Sequence, residues 1–408
     1  MTQRAPRRAA LAARIGFVVI AISLTAANPP QPETSRSEPL AAIVPLMLTR
    51  SGPQPVIEVR ELSLLQDQIG AGDKEAFQKQ QQVAAEVEQR LRSFPVEVWN
   101  NARNRLALIK FTLSGGNPEL QRSIAERKLF TESEVPLVRG SLAYAEGFRE
   151  QALIELTKVD ITLLGPSLAG HVSLVKAILV AETDPASAQI ALRLARLSSP
   201  GTLVEEAALR LAVELDIRLS DNKKFEADAA RYLRRYQMSA FAPTVLSLIG
   251  AFTGSRDYVA NAAGKAWLEQ ALNALGTECR SELLFAISEY ALRYGKLATA
   301  AYASRKAAAI GAEPSKSAAF EGAALVIGPN PAKGLALLAA AEAFAPEVTI
   351  SELVTAARGV GSAIQAPPIS IAWPPSEAEQ IAQPKSAQLV KARQLIDAAD
   401  KLLEETIK

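Results

Sequence analysis

Short clusters of Gly, Pro, Asn and Asp interrupt this chain every 31 to 40 residues, and this recurrence is the strongest constraint on its fold. Between the interruptions, apolar residues return at helical spacings of three and four, and no alternating strand pattern of useful length occurs. Each interval has room for two helices and is close to the 34 residues of a tetratricopeptide repeat. The interruptions fall at Gly116, Gly147, Asp184, Asp221, Ser255, Gly295 and Asn330.

The segment 137–159 is the clearest repeat unit. It reads as two helices joined at Gly147, each with one apolar stripe. Gly140 and Ala152 supply small residues where two antiparallel helices must approach closely. One such hairpin cannot cover both stripes alone, so it must stack on its neighbours. The same step of five residues, from turn to alanine, singles out Ala227 and Ala300 in later hairpins.

These patterns predict an all-α fold, a tetratricopeptide-like solenoid of stacked helix pairs over residues 56–365. Alanine and leucine dominate the apolar residues and only 5% of the chain is aromatic, a composition that favours helices over strands. The first helices are expected at residues 56–69, from a cap at Asp73 to about Arg92, and at 96–113. An irregular all-helical domain without superhelical stacking is the alternative.

The N-terminus predicts export. Four arginines precede the uncharged run 15–27, which ends in small residues and is shorter than the ~20 apolar residues of a membrane span. Residues 1–27 are therefore interpreted as a signal peptide of a bacterial periplasmic protein, with an uncleaved anchor as the alternative. Cleavage would remove four arginines and no acidic residue, lowering the formal net charge from +2 to −2. The proline-rich residues 28–55 are expected to be a disordered lead-in.

The C-terminal section differs in character from the repeats. Residues 366–384 are rich in proline and predict an extended linker. Residues 385–408 carry apolar residues at alternating spacings of three and four, which predicts one amphipathic helix. So short a helix is marginal by itself. It is expected to dock on its own solenoid or on a partner.

The chain offers little material for catalysis. His171 is its single histidine and Cys279 its single cysteine, so metal sites and histidine-based triads are not expected. The adjacent acids Glu205 and Glu206 are interpreted as residues of a solvated helix face. The formal net charge of +2 gives no sign of a nucleic-acid surface. The sequence therefore predicts a protein that is not an enzyme, with no cofactor, no nucleic-acid partner and no small-molecule substrate.

Three segments resemble the MotC family, periplasmic motility proteins of rhizobia and their relatives. They are residues 65–73 (LQDQIGAGD), 113–118 (LSGGNP) and 135–147 (VPLVRGSLAYAEG), and the resemblance is clearest over about residues 56–160. It implies a periplasmic protein that is required for flagellar rotation and binds the periplasmic part of the stator protein MotB. The family has no defined active-site residues to carry over.

A stacked solenoid has an extended concave surface on which another protein or a peptide can bind. The repeat spacing places Tyr144, Arg218 and Arg293 near the ends of first helices on that face, as candidate partner-binding residues. A periplasmic helical-repeat scaffold for envelope or polysaccharide assembly is the alternative function. A peptidoglycan-cleaving enzyme would need a separate catalytic domain, and the single helix predicted after Pro384 leaves no room for one.

Overall fold

The computed structural model describes residues 54–328, 330–344 and 347–366, together with residue 394. These residues form α-helices joined by short turns and by three 3-10 helices (Val96–Asn100, Ile161–Leu163 and Tyr258–Ala260), with no strand among them. The predicted all-α class is confirmed. In chain order, the α-helices are α1 (Pro55–Ala71), α2 (Lys74–Ser93), α3 (Ala102–Leu113), α4 (Pro118–Glu126), α5 (Val135–Ala145), α6 (Arg149–Thr157), α7 (Pro166–Val180), α8 (Pro185–Ser198), α9 (Leu203–Leu219), α10 (Asn222–Tyr236), α11 (Ala242–Ser255), α12 (Ala262–Asn273), α13 (Thr277–Arg293), α14 (Leu297–Ala309), α15 (Pro314–Ile327), α16 (Pro331–Ala343) and α17 (Val348–Gln365).

Successive helices pack as hairpins that stack on one another, which confirms the predicted solenoid of helix pairs. From α5 to α10, each helix packs on the next one along the chain. The helices α13 to α16 follow the same order. Apolar side chains at these contacts are buried, so each hairpin covers a stripe that its neighbour cannot cover alone.

The hairpin of α5 and α6 shows why small residues recur at helix contacts. Its turn passes through Gly147 with a φ of 85°, a left-handed conformation that glycine adopts without strain. A Cβ atom on Gly140 would lie 2.6 Å from side-chain atoms of Leu156, so the helices approach this closely because Gly140 has no side chain. Ala152, on α6, is fully buried. The predicted turn and the predicted close approach are both confirmed.

The repeat position assigned to Ala227 is wrong, because this alanine is exposed. In α6, α10 and α14, the buried position is the fourth residue of the helix. Gly147 precedes α6 by two positions, whereas Asn222 is already the first residue of α10. Phe225 therefore takes the fourth position of α10 and is fully buried. Ala300 is the fourth residue of α14 and is buried as expected.

The helix expected over residues 96–113 is divided in two. A 3-10 helix, Val96–Asn100, precedes α3, and Asn101 caps α3 by accepting a hydrogen bond from the backbone N–H of Arg103 at 2.9 Å. An asparagine that bonds to a nearby backbone group competes with continuous helix, which explains the break. The helices expected before this point correspond to α1 and α2, and Asp73 caps α2 as predicted.

The two adjacent acids of α9 are buried, so their assignment to a solvated face is wrong. Glu205 is 3% exposed and Glu206 is 0% exposed. Glu205 accepts hydrogen bonds from the Tyr236 hydroxyl and the Arg235 guanidinium, both at 2.8 Å. Glu206 accepts one from the Tyr232 hydroxyl, also at 2.8 Å. All these donors lie on α10, so the two carboxylates tie α9 to the second helix of its own hairpin.

α11 packs along α13 more extensively than on α12, which departs from the regular order. A Cβ atom on Gly254 would lie 2.7 Å from the carbonyl oxygen of Ile287 and 2.9 Å from the backbone nitrogen of Ala291. The two backbones therefore approach closely because position 254 is glycine. The interval between the predicted turns at Ser255 and Gly295 is the longest, and it holds a 3-10 helix, α12 and α13.

Several predictions concern residues outside the described ranges. They are the signal peptide, almost all of the lead-in, the proline-rich linker and the C-terminal helix, of which only residues 54, 55, 366 and 394 are described. Among the described residues, no helix combines the length and the apolar character that crossing a membrane requires.

Candidate functional site

The helix α1 makes contacts far along the chain. In a regular solenoid each hairpin contacts only its neighbours. Here α1 contacts α2, α3 and α9, although three further hairpins begin between α2 and α9. Side chains of α1, α3, α7 and α9 also line one common cavity. We call α1 and its turn into α2 (residues 55–73) the clasp, and the surface of α3, α7 and α9 beneath it the groove.

Backbone hydrogen bonds connect the clasp to distant parts of the chain. The Asp67 carboxylate accepts a hydrogen bond of 3.0 Å from the backbone N–H of Leu203, which lies 136 residues further on. Leu203 is the first residue of α9, where backbone N–H groups have no partner within the helix and the helix dipole favours negative charge. The Ile69 carbonyl accepts a second hydrogen bond from the backbone N–H of Ala240, at 3.4 Å. The clasp thus closes the chain into a ring that includes α3 to α9.

The turn between α1 and α2 fits against Met238 because position 72 is glycine. Gly72 has a φ of 101°, and a Cβ atom there would lie 2.3 Å from the carbonyl oxygen of Met238. Beside this contact, the rings of Phe77 and Phe241 meet edge to face with centroids 6.1 Å apart. The Arg210 guanidinium lies 4.7 Å from the Phe241 ring centroid. The contact at Gly72 holds the clasp to the turn between α10 and α11, and Phe77 holds α2 to the same turn.

A cavity of about 30 Å³, lined mostly by residues of polar type, lies between part of the clasp and the groove. This volume is enough for about one water molecule. Its lining includes Gln66 of α1, whose amide donates a hydrogen bond of 3.3 Å to the carbonyl of Ser114. Ser199 also lines it, and the buried Ser199 hydroxyl has no hydrogen-bond partner within the described chain. The polar fit between the clasp and the groove is therefore incomplete.

Three titratable side chains line the same cavity. Burial raises the pKa of Asp67, while the hydrogen bond from Leu203 and the charge of Lys110 have the smaller, opposite effect of lowering it. Burial lowers the pKa of Lys110, which the carboxylate of Asp67 opposes. Burial, with a contribution from Lys110, lowers the pKa of His171 to about 4, and its Nδ1 donates to the carbonyl of Ser167 at 2.7 Å. His171 is thus a neutral packed residue near pH 7, and Lys110 lies beside Asp67 at the same cavity.

The structure places the three predicted partner-binding residues on three different hairpins, at the ends of α5, α9 and α13. The Tyr144 hydroxyl is buried without a hydrogen-bond partner, and burial raises its pKa to about 12. Arg218 donates a hydrogen bond to the carbonyl of Ala181. Arg293 is exposed and pairs with Glu289 at 2.9 Å. No described hydrogen bond or ion pair joins the three, and their role in binding stays a prediction.

The remaining candidates for chemistry are packed residues. Cys279 is buried, its Sγ donates to the carbonyl of Gln237 at 3.2 Å, and burial raises the pKa of the thiol. This environment disfavours the reactive thiolate. Among the described residues, no group of three or more His, Cys, Asp or Glu side chains could hold a metal ion.

The sequence predicted α1 as a helix but not its contact with α9, although the pattern of α1 contains one indication of a polar contact. The buried side of α1 follows the spacing of Val59, Leu62, Gln66 and Ile69, and Gln66 is only 5% exposed. A polar residue inside an otherwise apolar seam indicates a specific polar partner rather than a plain core. The identity of that partner depends on the fold and cannot be read from spacing.

Comparison with known proteins gives one family. The family model described as Chemotaxis protein MotC matches residues 2–408. The curated Chemotaxis protein MotC of Rhizobium meliloti (strain 1021) is 26% identical over 322 residues, which cover 76% of this chain and 72% of that protein. No solved structure is significantly similar to the chain.

Proposed function

The chain belongs to the MotC family, and we propose that it is a non-enzymatic periplasmic motility protein that binds the periplasmic part of the stator protein MotB and is needed for flagellar rotation. The observation that carries this proposal is the family match along residues 2–408. The segments that resemble the family in sequence include the turn of the clasp and the first helix of the hairpin of α5 and α6. The resemblance therefore involves part of the clasp, the end of α3 and the whole of α5.

The architecture supports a binding role. Stacked helix pairs present a long surface to a partner, and affinity then comes from many side chains rather than from one pocket. The described cavity has room for about one water molecule, which suits a packing defect better than a substrate site. A role in which the protein holds another protein agrees with both features.

The export proposal rests on the N-terminal sequence. Four arginines followed by the apolar run 15–27 have the layout of a secretory signal. Fractionation of cells that carry the protein with a C-terminal tag tests the location, with recovery in the periplasmic fraction as the expected result. Recovery only in the cytoplasm would contradict the proposal.

A clean deletion strain tests the motility role. We expect flagellated cells that fail to spread in soft agar, with swimming restored by the gene in trans. A deletion strain that swims normally would remove the proposed role and would favour the envelope scaffold.

Purified proteins test the partner. We expect the mature chain to retain the periplasmic region of MotB in a pull-down. Arg293→Ala should weaken retention, because the Arg293 side chain is 59% exposed, and Arg218→Ala and Tyr144→Phe test the other two positions. Arg92→Ala is the matched control, since Arg92 is also an exposed arginine paired with a glutamate in its own helix.

The possible outcomes distinguish the identity of the partner from the residues that contact it. Unchanged retention by all three variants would remove the proposed contact residues but not the partner. No retention by the wild-type chain would contradict the partner itself.

A further inference from the structure

The clasp is held by two separate sets of contacts. Its seam packs on α2 and α3, and a different set of contacts holds it to α9, far away in sequence. On its outer side, Ile57 and Leu64 are 46% and 55% exposed, so the clasp is not enclosed by the hairpins that it touches. Release of the clasp would expose the core residues of α2 and α3 that Val59 and Leu62 cover, so a helix that replaces it must cover the same seam.

We propose that the groove of α3, α7 and α9 is a binding site for an amphipathic helix of a partner protein, and that α1 covers this site until the partner helix replaces it. The proposal deepens the proposed function and rests on it for the identity of the partner protein. The groove itself defines the chemistry of the helix that it accepts.

Charge sets the first requirement for the incoming helix. Lys110 and the N-terminal turn of α9 face the clasp where Asp67 accepts its hydrogen bond from Leu203. Both groups favour a carboxylate and disfavour a cation at that position. The partner helix should therefore carry Asp or Glu at the position that Asp67 occupies now.

The pattern of α1 sets the second requirement. Its buried seam consists of apolar residues at spacings of three and four, interrupted by Gln66, whose amide reaches the carbonyl of Ser114. A side-chain amide next to a carboxylate, within an apolar seam, is the pattern that satisfies the polar groups of the groove. A uniformly apolar helix would leave those groups without partners.

The existing fit leaves room for a better ligand. The Ser199 hydroxyl is buried and unpaired at the cavity between α1 and the groove, and an unpaired buried group costs about 1–3 kcal/mol. A partner helix with a donor or acceptor that reaches Ser199 would recover part of this cost. The tether gives α1 an effective concentration in the millimolar range, so the incoming helix must bind more tightly than α1 does.

A disulfide that locks the clasp provides the test. A Cβ atom on Gly70 would lie 3.6 Å from the Cα atom of Leu203, so Gly70→Cys and Leu203→Cys should be able to form a disulfide, which bridges Cα atoms ~4.4–6.8 Å apart. The probe is a labelled synthetic peptide of residues 54–73, whose binding to the mature double variant is followed by fluorescence anisotropy. We expect binding to the reduced protein and at least about tenfold weaker binding after oxidation.

Two glycine variants give an independent measurement. Gly72→Ala should open the clasp, because the added Cβ atom would meet the carbonyl oxygen of Met238, and should increase peptide affinity. Gly147→Ala is the matched control, since Gly147 also has a positive φ but has open space around it.

A variant peptide and single cysteine variants complete the experiment. A peptide with Asp67→Lys should bind more weakly than the natural peptide to each protein. The single variants Gly70→Cys and Leu203→Cys, treated with oxidant, control for loss of packing and for reaction of the native Cys279.

Two results would overturn the proposal. The first is equal peptide binding by the oxidised and reduced double variant, which would place the peptide elsewhere. The second is no binding to reduced protein or to Gly72→Ala at millimolar peptide, which would show that the clasp does not exchange. Neither result depends on MotB, so failure of the groove is distinct from failure of the proposed function, which the pull-down decides.

Discussion

The hairpins up to α10 and the helices from α11 to α16 are held together in different ways. We refer to them as the first and second regions. In the first region, charged side chains are buried at the contacts between helices and bonded across them. They are Arg105, Glu205, Glu206 and Asp216.

In the second region, the buried polar side chains are Glu321, which pairs with Lys333 of the next helix, and hydroxyls, three of which bond within their own helix. Thr253, Ser288 and Ser304 each donate to the carbonyl of the residue four positions earlier, at 2.8, 2.9 and 2.7 Å. Such a hydroxyl needs no partner on the neighbouring helix, so that helix can approach closely. Glycines such as Gly254 complete the contact.

The difference shows two ways in which one repeat pattern can specify a stack. Buried charges have few acceptable partners, so they fix how one helix is oriented on the next. Small residues set how closely two helices approach, and the shapes of the packed surfaces then set the relative orientation of the helices. The clasp lies in the first region, where a bound helix finds polar groups that can recognise it.

The largest expected effect comes from removing a buried carboxylate of the first region. Glu206→Ala should lower the free energy of unfolding by about 3 kcal/mol, because it leaves the buried hydroxyl of Tyr232 without its acceptor. Urea denaturation followed by circular dichroism measures the loss. The double variant Glu206→Met with Tyr232→Phe should lose less free energy of unfolding, because it has neither the buried carboxylate nor the buried hydroxyl of this pair. Equal losses in the two proteins would contradict the role of the hydrogen bond between Glu206 and Tyr232 in orienting α9 on α10.

A pH experiment sharpens the same comparison. Burial, followed by the nearby Asp228, raises the pKa of Asp216 to about 7, against a hydrogen bond from Gln189. The fold thus favours the protonated form, so the contribution of Asp216 to stability is full below the unfolded pKa of ~3.9 and is lost as pH rises through about 7. Asp216→Asn cannot ionise and keeps an acceptor for Gln189.

We therefore expect Asp216→Asn to exceed the wild type in stability on the order of 2 kcal/mol at pH 8, and much less at pH 4. Urea denaturation at the two pH values measures this difference. A constant offset between the two proteins would show that Asp216 does not titrate in this range.

In the second region, the comparison predicts sensitivity to added volume. Gly254→Ala should destabilise the protein by about 1–2 kcal/mol, because the new methyl group meets the backbone of α13. Gly359→Ala is the control, with open space around a helical glycine, and should stabilise by about 0.5–1 kcal/mol. Thermal unfolding of the two variants should therefore shift in opposite directions. A shift in the same direction would contradict close backbone packing at Gly254.

The smallest effects concern the predicted partner residues. Arg218→Ala should cost about 1 kcal/mol because it removes a hydrogen bond to the carbonyl of Ala181. Arg293→Ala should cost less than about 0.5 kcal/mol, since its ion pair with Glu289 is exposed. Thermal unfolding gives both values, and a larger loss for Arg293→Ala would contradict the surface position of its side chain. The small expected cost makes Arg293→Ala the cleaner variant for the pull-down.

The sequence predicted the parts of the fold that depend on nearby residues. Turns at Gly147 and Gly295, the burial of Ala152 and the pairing of α5 with α6 all follow from spacings of a few residues. The error at Ala227 has the same origin, because the pattern does not show how far a turn lies from the start of its helix. Local periodicity therefore identifies a hairpin more reliably than the register within it.

Contacts between distant residues could not be predicted in this way. The partners of Glu205 and Glu206 lie 26 to 31 residues away, and acids at the start of a helix normally face solvent. The bond from Leu203 to Asp67 spans 136 residues, and nothing in a repeat pattern indicates that the chain returns on itself. A concave binding surface was predicted from the architecture, whereas the contact of α1 with α9 depends on this return.

The ring closed by the clasp also bears on how the molecule folds. A linear array of repeats can fold or unfold one unit at a time. Here Asp67 and Leu203 lie 136 residues apart, and closing a loop of this length costs roughly 4 kcal/mol of chain entropy. The closed ring connects α1 to α9, so we expect the hairpins between them to unfold together rather than one at a time.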